Sequence, residues 1–357
     1  MKKKVLIDLD KLKIPYCGLG NVAINFGNKL FDIQQDEFEW EVLVSETQSV
    51  SHLDYSNFSI QKLSLLKKKN IRAFDKSADL VHVTNQMIKY FVSKGKKNIV
   101  TIHDLNYVYE EPEEIYSKKL QKLQRHVDNA TLITVISNFT KKVVEEYLTI
   151  PEGTEIIVVP NGVEPPQKGN VSKPSQVSSD RFFFTIGTIM PKKNFHVLVE
   201  MMKYIGDDYH LYIGGQLSKP EYVETINSLI TEHGLEDRVK LLGEVTTEEK
   251  NYLYHNCSGF LFPSLYEGFG LPIIEAMYCG KPVFSSNLTS LPEVGGDMAC
   301  YWENFDPQYM ANIVNEGLAK HLQNEEANSQ KLIDYASQFT WEKNAQAYFE
   351  LYEKLLS

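Results

Sequence analysis

Two carboxylates share one short stretch of the chain. In "LYEGFGLPIIEAMYCGKP" (265–282), Glu267 and Glu275 are separated by seven residues that include two glycines and a proline. The apolar run "SGFLFPS" (258–264) before them reads as a buried strand. Pro272 suits the first position of a helix, where its missing N–H would have no partner anyway. Gly280 suits the position just past that helix. Strand, glycine loop and short helix together bring backbone N–H groups and the positive end of a helix dipole to one place, which favours a phosphate. Gly268, Phe269, Gly270 and Leu271 would present that backbone. Glu275, one turn inside the helix, can accept hydrogen bonds from a diol such as a ribose. Glu267, at the mouth of the loop, can meet sugar hydroxyls. The plain alternative is a surface glutamate and a helix-stabilising glutamate on an ordinary turn, and the flanking glycines and proline weigh against it.

Such a loop needs a sheet to hold it. Short β-branched runs alternate with amphipathic stretches along the chain. "KVLIDL" (4–9), "WEVLVS" (40–45), "DLVHVT" (79–84), "NIVTIHD" (98–104), "TLITVIS" (131–137) and "EIIVVP" (155–160) read as strands of a first half. "RFFFTIG" (181–187), "YHLYIGG" (209–215), "RVKLLG" (238–243), "SGFLFPS" and "KPVFSS" (281–286) read as strands of a second. Several are nearly continuous apolar runs, as parallel strands covered on both faces should be. Helical periodicity fills 20–35, 114–128, 138–149, 194–205, 220–234, 246–255 and 272–279. Alternation of this kind predicts an α/β protein with two doubly wound Rossmann-like domains.

The chain of 357 residues has room for two domains. "EPPQKGNVSKPSQVSSD" (164–180) is apolar-poor and without period, so it reads as a linker or hinge. The expected division is 1–165, a linker or hinge at 166–180, a second domain at 181–340, and a last helix at 341–357 crossing back to the first domain. A ligand is expected in the cleft between the two domains, off the carboxyl ends of their strands.

At 43% hydrophobic and 24% charged, the composition is that of a globular protein with a sizeable core. "MKKKVLIDLD" opens like a signal peptide, but its apolar run ends at Asp8 and reads as a first strand. No apolar run approaches the ~20 residues that span a bilayer. The four cysteines form no C-x-x-C pair. A cytoplasmic protein is expected. Residues 1–170 hold 23 Lys and Arg against 22 Asp and Glu, and the rest 14 against 25. That balance disfavours nucleic acid. Basic clusters at 65–70, 94–98 and 118–126 read as solvated faces, or as a peripheral contact with an anionic membrane surface on the inner face of the membrane.

The stretch "EGFGLPIIEAMYCGKPV" resembles the Glu–seven residues–Glu motif of the retaining glycosyltransferases of family 4, which have the GT-B fold: two Rossmann-like domains facing each other across a cleft. The likeness covers most of the chain. "GTIMPKKN" (187–194) resembles the family's glycine-to-basic segment, and "LPEVGGDMACYW" (291–302) the stretch after its next strand. "VVPNGVE" (158–164) resembles the end of its first domain and "TIHDL" (101–105) its histidine turn, while "YCGLGN" (16–21) takes the place of its N-terminal glycine loop. The resemblance implies a nucleotide diphosphate sugar as donor, GDP-mannose or a UDP-hexose, and a sugar, glycan or lipid-linked sugar as acceptor. The surroundings would be surface polysaccharide or lipopolysaccharide synthesis.

It implies roles for residues as well. Lys192 and Lys193 would neutralise the diphosphate without metal. Lys192 stands where the family often has arginine, and an ammonium lacks the bidentate geometry of a guanidinium, so Lys193 is the firmer assignment. His103 would contact the transferred sugar, Gly18 and Gly20 would approach the phosphates from the other side, and Val245 would touch the base. The catalytic set is then His103, Glu267 and Lys193, with no cofactor and no metal ligands. Ser137 and Asn138 are acceptor-side candidates by position.

Other chemistries fit less well. "GLGNVA" satisfies a Gly-x-Gly-x-x-Ala dinucleotide fingerprint, with Glu46 at a second strand end as an NAD-dependent oxidoreductase would need. The fingerprint requires glycines directly at the strand-to-helix turn, and residues 11–17 intervene. Asp8 and Asp10 have the carboxylate spacing of a metal motif but stand too early in the chain. A non-catalytic GT-B-like protein that binds a nucleotide sugar, or an epimerase or phosphorylase on the same scaffold, is a third class, and the two-glutamate loop disfavours it.

Overall fold

The computed structural model describes residues 2–13, 18–33, 37–45, 53, 58–63, 75–87 and 90–357. Glu46, Tyr16 and Cys17 of "YCGLGN", and the whole basic cluster at 65–70, lie outside the described residues. The chain divides into two compact units, Met1–Gly162 with Phe339–Ser357, and Val163–Gln338.

Among the described residues the first unit has seven strands: β1 Lys3–Asp8, β2 Phe38–Ser45, β3 Phe58–Leu63, β4 Leu80–Val83, β5 Asn98–Ile102, β6 Leu132–Val135 and β7 Glu155–Val158. They lie in the order β3-β2-β1-β4-β5-β6-β7 and every neighbouring pair is parallel. Its helices are α1 Gly18–Ile33, α2 Tyr107–Glu110, α3 Glu113–Val127 and α4 Asn138–Tyr147. β4, β5 and β6 are buried along their whole length, which is why "LVHV", "NIVTI" and "LITV" read as near-continuous apolar runs. Strand β3 was not expected: it is an edge strand, and Ile60 on it is exposed, so its sequence carries little apolar alternation. α3 bears Glu113 and Glu114 in its first turn and Arg125 in its last, each sign matched to the helix dipole, while burial pushes the neighbouring His126 imidazole down to about 4 and keeps it neutral.

The second unit has six parallel strands: β8 Phe182–Ile186, β9 His210–Gly214, β10 Val239–Gly243, β11 Gly259–Phe262, β12 Val283–Ser286 and β13 Cys300–Trp302. Their order is β10-β9-β8-β11-β12-β13. The helices are α5 His196–Met201, α6 Pro220–Glu232, α7 Thr247–Asn256, α8 Leu271–Tyr278, α9 Leu291–Gly295, α10 Pro307–Leu322 and α11 Glu325–Ala336. Thr246 and Glu249 close a reciprocal capping box at the start of α7. The last helix, α12 Trp341–Leu356, belongs to the first unit, where Trp341, Tyr348, Phe349 and Tyr352 are buried with Phe26, Phe38 and Trp40.

The stretch 164–180, read as a linker from its composition, is hydrogen-bonded to the second unit. Ser172 N–H donates to the Glu248 carbonyl, Asn251 to that of Asn170, and Ser178 N–H to the Tyr212 hydroxyl. Among the described residues no helix is long and apolar enough to cross a membrane.

Both sheets reverse their strand order once, between β1 and β4 in the first unit and between β8 and β11 in the second. In an open parallel sheet the loops leaving the carboxyl ends of such a strand pair diverge and open a crevice.

Candidate functional site

The reversal between β8 and β11 decides what meets in the second unit. β8 runs into Gly187 and a 3-10 turn at Pro191–Lys193, and β11 runs into the loop ahead of α8. Although 74 residues apart, Lys193 and Glu267 form an ion pair from Nζ to Oε1, with 13% and 16% of their side chains exposed. The Lys193 stem lies along Gly187, where a Cβ would stand 3.1 Å from its Cε, and its ammonium lies 5.1 Å from the centre of the Phe262 ring. Lys192 ties the two loops through its backbone, its carbonyl accepting the Leu265 N–H at 2.8 Å.

α8 begins after Gly270, whose φ of +109° suits glycine, and a Cβ there would stand 2.6 Å from Leu291 Cδ2. Pro272 falls in the second helical position, one later than the sequence suggested. Among the described residues no side chain caps this start. The helix ends on Gly280 at φ +68°, with Gly280 N–H bonded to the Met277 carbonyl and Lys281 N–H to that of Ala276. Gly268, Phe269 and Gly270 are buried and Leu271 is half-buried.

Glu275 has both carboxylate oxygens engaged: Lys250 Nζ lies 3.0 Å from Oε1, and the Tyr254 hydroxyl donates to Oε2 at 2.6 Å. Burial, then the charge of Glu275, pushes the Tyr254 phenol well above its ordinary range, so it stays a donor. Neither residue was singled out in the sequence. Their signal was a spacing of four on one face of α7. Each carboxylate oxygen can accept two hydrogen bonds, so this clamp leaves capacity for a diol. Val245 is half-buried just past β10, and its Cγ1 would lie 3.7 Å from a Cβ on Gly214.

The backbone around Glu267 is held from the turn after β12. The Glu267 N–H donates to Thr289 Oγ1 at 3.2 Å, and Ser290 Oγ donates to the carbonyls of Glu267 and Phe269 at 2.9 and 3.0 Å. These two residues were also missed from the sequence.

In the first unit, His103 stands just past β5. Its Nε2 lies 2.8 Å from the Thr84 carbonyl, and its own N–H donates to Gln86 Oε1 at 3.1 Å. A carbonyl only accepts, so Nε2 carries the proton and Nδ1 is the ring's acceptor. Burial pushes this imidazole down to about 4, the Thr84 bond opposing it and the charge of Lys11 adding to it. Gly18 and Gly20 sit in the first turn of α1 rather than in a loop before it, and the 3-10 turn Asp10–Lys13 lies between them and β1. That intervening turn separates this segment from a dinucleotide fingerprint. Asp8 is buried at the end of β1 and accepts the Asp10 N–H at 2.8 Å. Ser137 caps α4, accepting the Thr140 N–H at 3.0 Å, and Asn138 opens that helix. Among the described residues no three His, Cys, Asp or Glu side chains gather as a metal would need.

Two family profiles match the chain. The one described as "Glycosyl transferases group 1" covers residues 168–339, and the one described as "Glycosyltransferase Family 4" covers 34–166. The chain is similar to O-antigen chain mannosyltransferase B of Escherichia coli, 28% identical over 269 residues that make up 71% of this chain and 69% of that protein. It is 31% identical to the serotype-specific mannosyltransferase WbdA of the same organism over 68% of this chain, but spans only 31% of that longer protein. Among solved structures, that of Anabaena Alr3699/HepE in complex with UDP-glucose superposes with a TM-score of 0.75 at 19% identity, over 98% of this chain and 99% of that one.

Proposed function

Since the chain belongs to the family 4 glycosyltransferases and has their GT-B fold of two Rossmann-like units, we propose that it moves a hexosyl group from a nucleotide diphosphate sugar to a glycan acceptor with retention of configuration. Mannose is the favoured sugar, because O-antigen mannosyltransferases are among its relatives, and surface polysaccharide synthesis is the favoured setting. GDP-mannose leads as donor, with a UDP-hexose as second choice.

The observation that carries this reading is the ion pair of Lys193 and Glu267 beside the start of α8, at the strand reversal of the second unit. A leaving diphosphate gathers negative charge as its bond to the sugar breaks. Lys193 and the N–H groups at the head of α8 would stabilise that charge without reorganising, which is where most of such a barrier is lowered. The acceptor hydroxyl attacks the anomeric carbon on the face that the diphosphate leaves, and the departing phosphate oxygen takes the acceptor's proton. No side chain must then serve as a strong base, and no metal or cofactor is assigned a part. The low basicity of His103 suits this scheme: through Nδ1 it would accept a hydrogen bond from a sugar hydroxyl rather than take a proton. Glu267 would hold other hydroxyls of the transferred sugar, and Glu275 the ribose. Lys192, Gly18, Gly20 and residues 268–271 are proposed for the phosphates and Val245 for the base. A lipid-linked acceptor at an anionic surface would meet the basic stretch 118–126.

The test is a thermal-shift panel of nucleoside diphosphates, followed by donor-hydrolysis assays with the matching sugars. GDP at a hundred times its Kd is expected to stabilise the protein by about 2.7 kcal/mol. A protein stabilised by NAD(H) and by neither GDP nor UDP would sink the reading.

A further inference from the structure

Among the described residues, two that are not glycine have positive φ: Asn194 at +57° and Thr289 at +56°. Asparagine visits this region readily. A β-branched threonine does so rarely and at a cost, so it persists only where its surroundings hold it. Each of the two adjoins one partner of the same ion pair. Asn194 closes the turn that carries Lys193, and Thr289 bonds the backbone of Glu267.

Three successive residues after β12 grip the loop that carries Glu267. Thr289 Oγ1 accepts the Glu267 N–H, Ser290 Oγ donates to the Glu267 and Phe269 carbonyls, and Leu291 closes against Gly270. The N–H and C=O of Glu267 are thus both fixed by one turn. At the backbone twist observed at 289, which a threonine resists, its hydroxyl meets the Glu267 N–H.

We infer that Thr289 is a positioning residue, its left-handed backbone and its hydroxyl together setting where the Glu267 carboxylate stands. The inference rests on the sugar-binding role proposed above for Glu267. Strain kept at a position where it lowers stability is a mark of placement for chemistry, since folding alone would favour glycine or asparagine there.

Three variants separate placement from packing. Thr289→Ser keeps the hydroxyl and is expected to turn over within about twofold of the parent. Thr289→Val keeps the shape and loses the acceptor, and its kcat should fall roughly tenfold, since a small misplacement of a binding group is enough for that. Thr289→Gly relieves the backbone and loses the hydroxyl. It should melt no lower than the parent yet lose turnover as valine does. Turnover is followed as donor hydrolysis with GDP-mannose and with UDP-glucose in parallel, and affinity for GDP and UDP should stay within about twofold in all three. In a Glu267→Gln background, Thr289→Val should cost almost nothing more.

The inference is overturned by a valine variant with normal kcat, by a full further loss in the glutamine background, or by weakening of nucleoside diphosphate binding equal to the loss in turnover. A Glu267→Gln enzyme of normal activity overturns the carboxylate assignment and this inference with it. A glutamine variant that is impaired beside a valine variant that is not removes this inference alone. Placement can also be read without any donor. In crystals of the valine and glycine variants the Glu267 carboxylate should have left Lys193, and a carboxylate in its parental place in both refutes the role.

Discussion

Two polar clusters, one in each unit, are built to opposite ends. In the second unit, Lys193 with Glu267 and Lys250 with Glu275 are charged and only partly covered, Tyr254 meeting Glu275 from inside the core. In the first unit, His82, Thr101, Thr134, Tyr348 and Tyr352 form a neutral layer inside the core. Proton counting shows that the second of these is closed. The hydroxyls of Thr101, Thr134 and Tyr348 lie 2.7, 3.1 and 3.1 Å apart, three protons for three edges. Thr101 must then accept from His82 Nε2–H at 2.8 Å, which leaves Nδ1 to accept the Tyr352 O–H at 2.6 Å. Every proton of the closed layer is used inside it, and the layer fastens α12 to the sheet. The carboxylates of the other cluster retain unused lone pairs, and unused capacity beside a helix start is what a ligand requires.

The largest effect should come from the open cluster. Lys193→Ala is expected to lower donor turnover roughly 100- to 1,000-fold, the range for losing one preorganised charge-stabilising group. Its melting temperature should fall too, because Glu267 at 16% exposure is left without its partner, so turnover is read per folded molecule. Kinetics on GDP-mannose and UDP-glucose check this, and unimpaired turnover would remove Lys193 from the diphosphate.

Acid should act on the other unit. Burial, then the charge of His103, pushes His82 down to about 3, and burial pushes His103 down to about 4. An unfolded histidine takes a proton near pH 6.5 that these two refuse. Stability is therefore complete above that pH and drains as the pH falls toward their folded values, by about 2 kcal/mol from each at pH 5. Urea unfolding at pH 7.5 and pH 5 measures the slope, and His82→Gln should remove one histidine's share. An unchanged slope in that variant would mean that His82 takes up its proton at the same pH folded and unfolded.

Much of the scaffold was legible because parallel strands covered on both faces leave continuous apolar runs, as "FFFTI" and "GFLF" do. Two of the four edges were not: neither "FSIQKL" of β3 nor "CYW" of β13 carries such a run, whereas the edge strands β7 and β10 were read from "EIIVVP" and "RVKLLG". The site was legible where it is local: Gly270, Pro272 and Gly280 announce α8 by backbone conformation alone. What is distant in sequence was not. Lys193 reaches Glu267 because β8 and β11 are neighbours, and no local pattern states strand order. Tyr254 looked like one more aromatic on a helix, and Thr289 like a loop residue, because neither the hydroxyl's partner nor a positive φ is written in residue type.

Tyr352→Phe should open the closed layer. The His82 Nδ1 lone pair loses its donor inside the core, at a cost of about 2 kcal/mol. Turnover per folded molecule and affinity for nucleoside diphosphates should not change. Denaturant midpoints and kcat measured on one preparation decide it, and a drop in kcat with intact stability would show that the layer reaches the chemistry.

Tyr254→Phe makes the smallest change and separates the clusters most finely. The ring keeps its packing against Phe184 and Phe260, at centroid distances of 5.1 and 5.4 Å, so the core is undisturbed. Only the 2.6 Å bond to Glu275 is lost, and Lys250 still holds the other oxygen. If Glu275 meets the ribose, a less firmly held carboxylate binds a diol more weakly, by about 1 kcal/mol, or roughly fivefold in Kd for the nucleoside diphosphate. Turnover at saturating donor should be unaffected, because the ribose is remote from the bond that breaks. A lower melting temperature with unchanged Kd would instead place Tyr254 with His82, as a hydroxyl that serves the core, and would leave Glu275 without the partner that orients it.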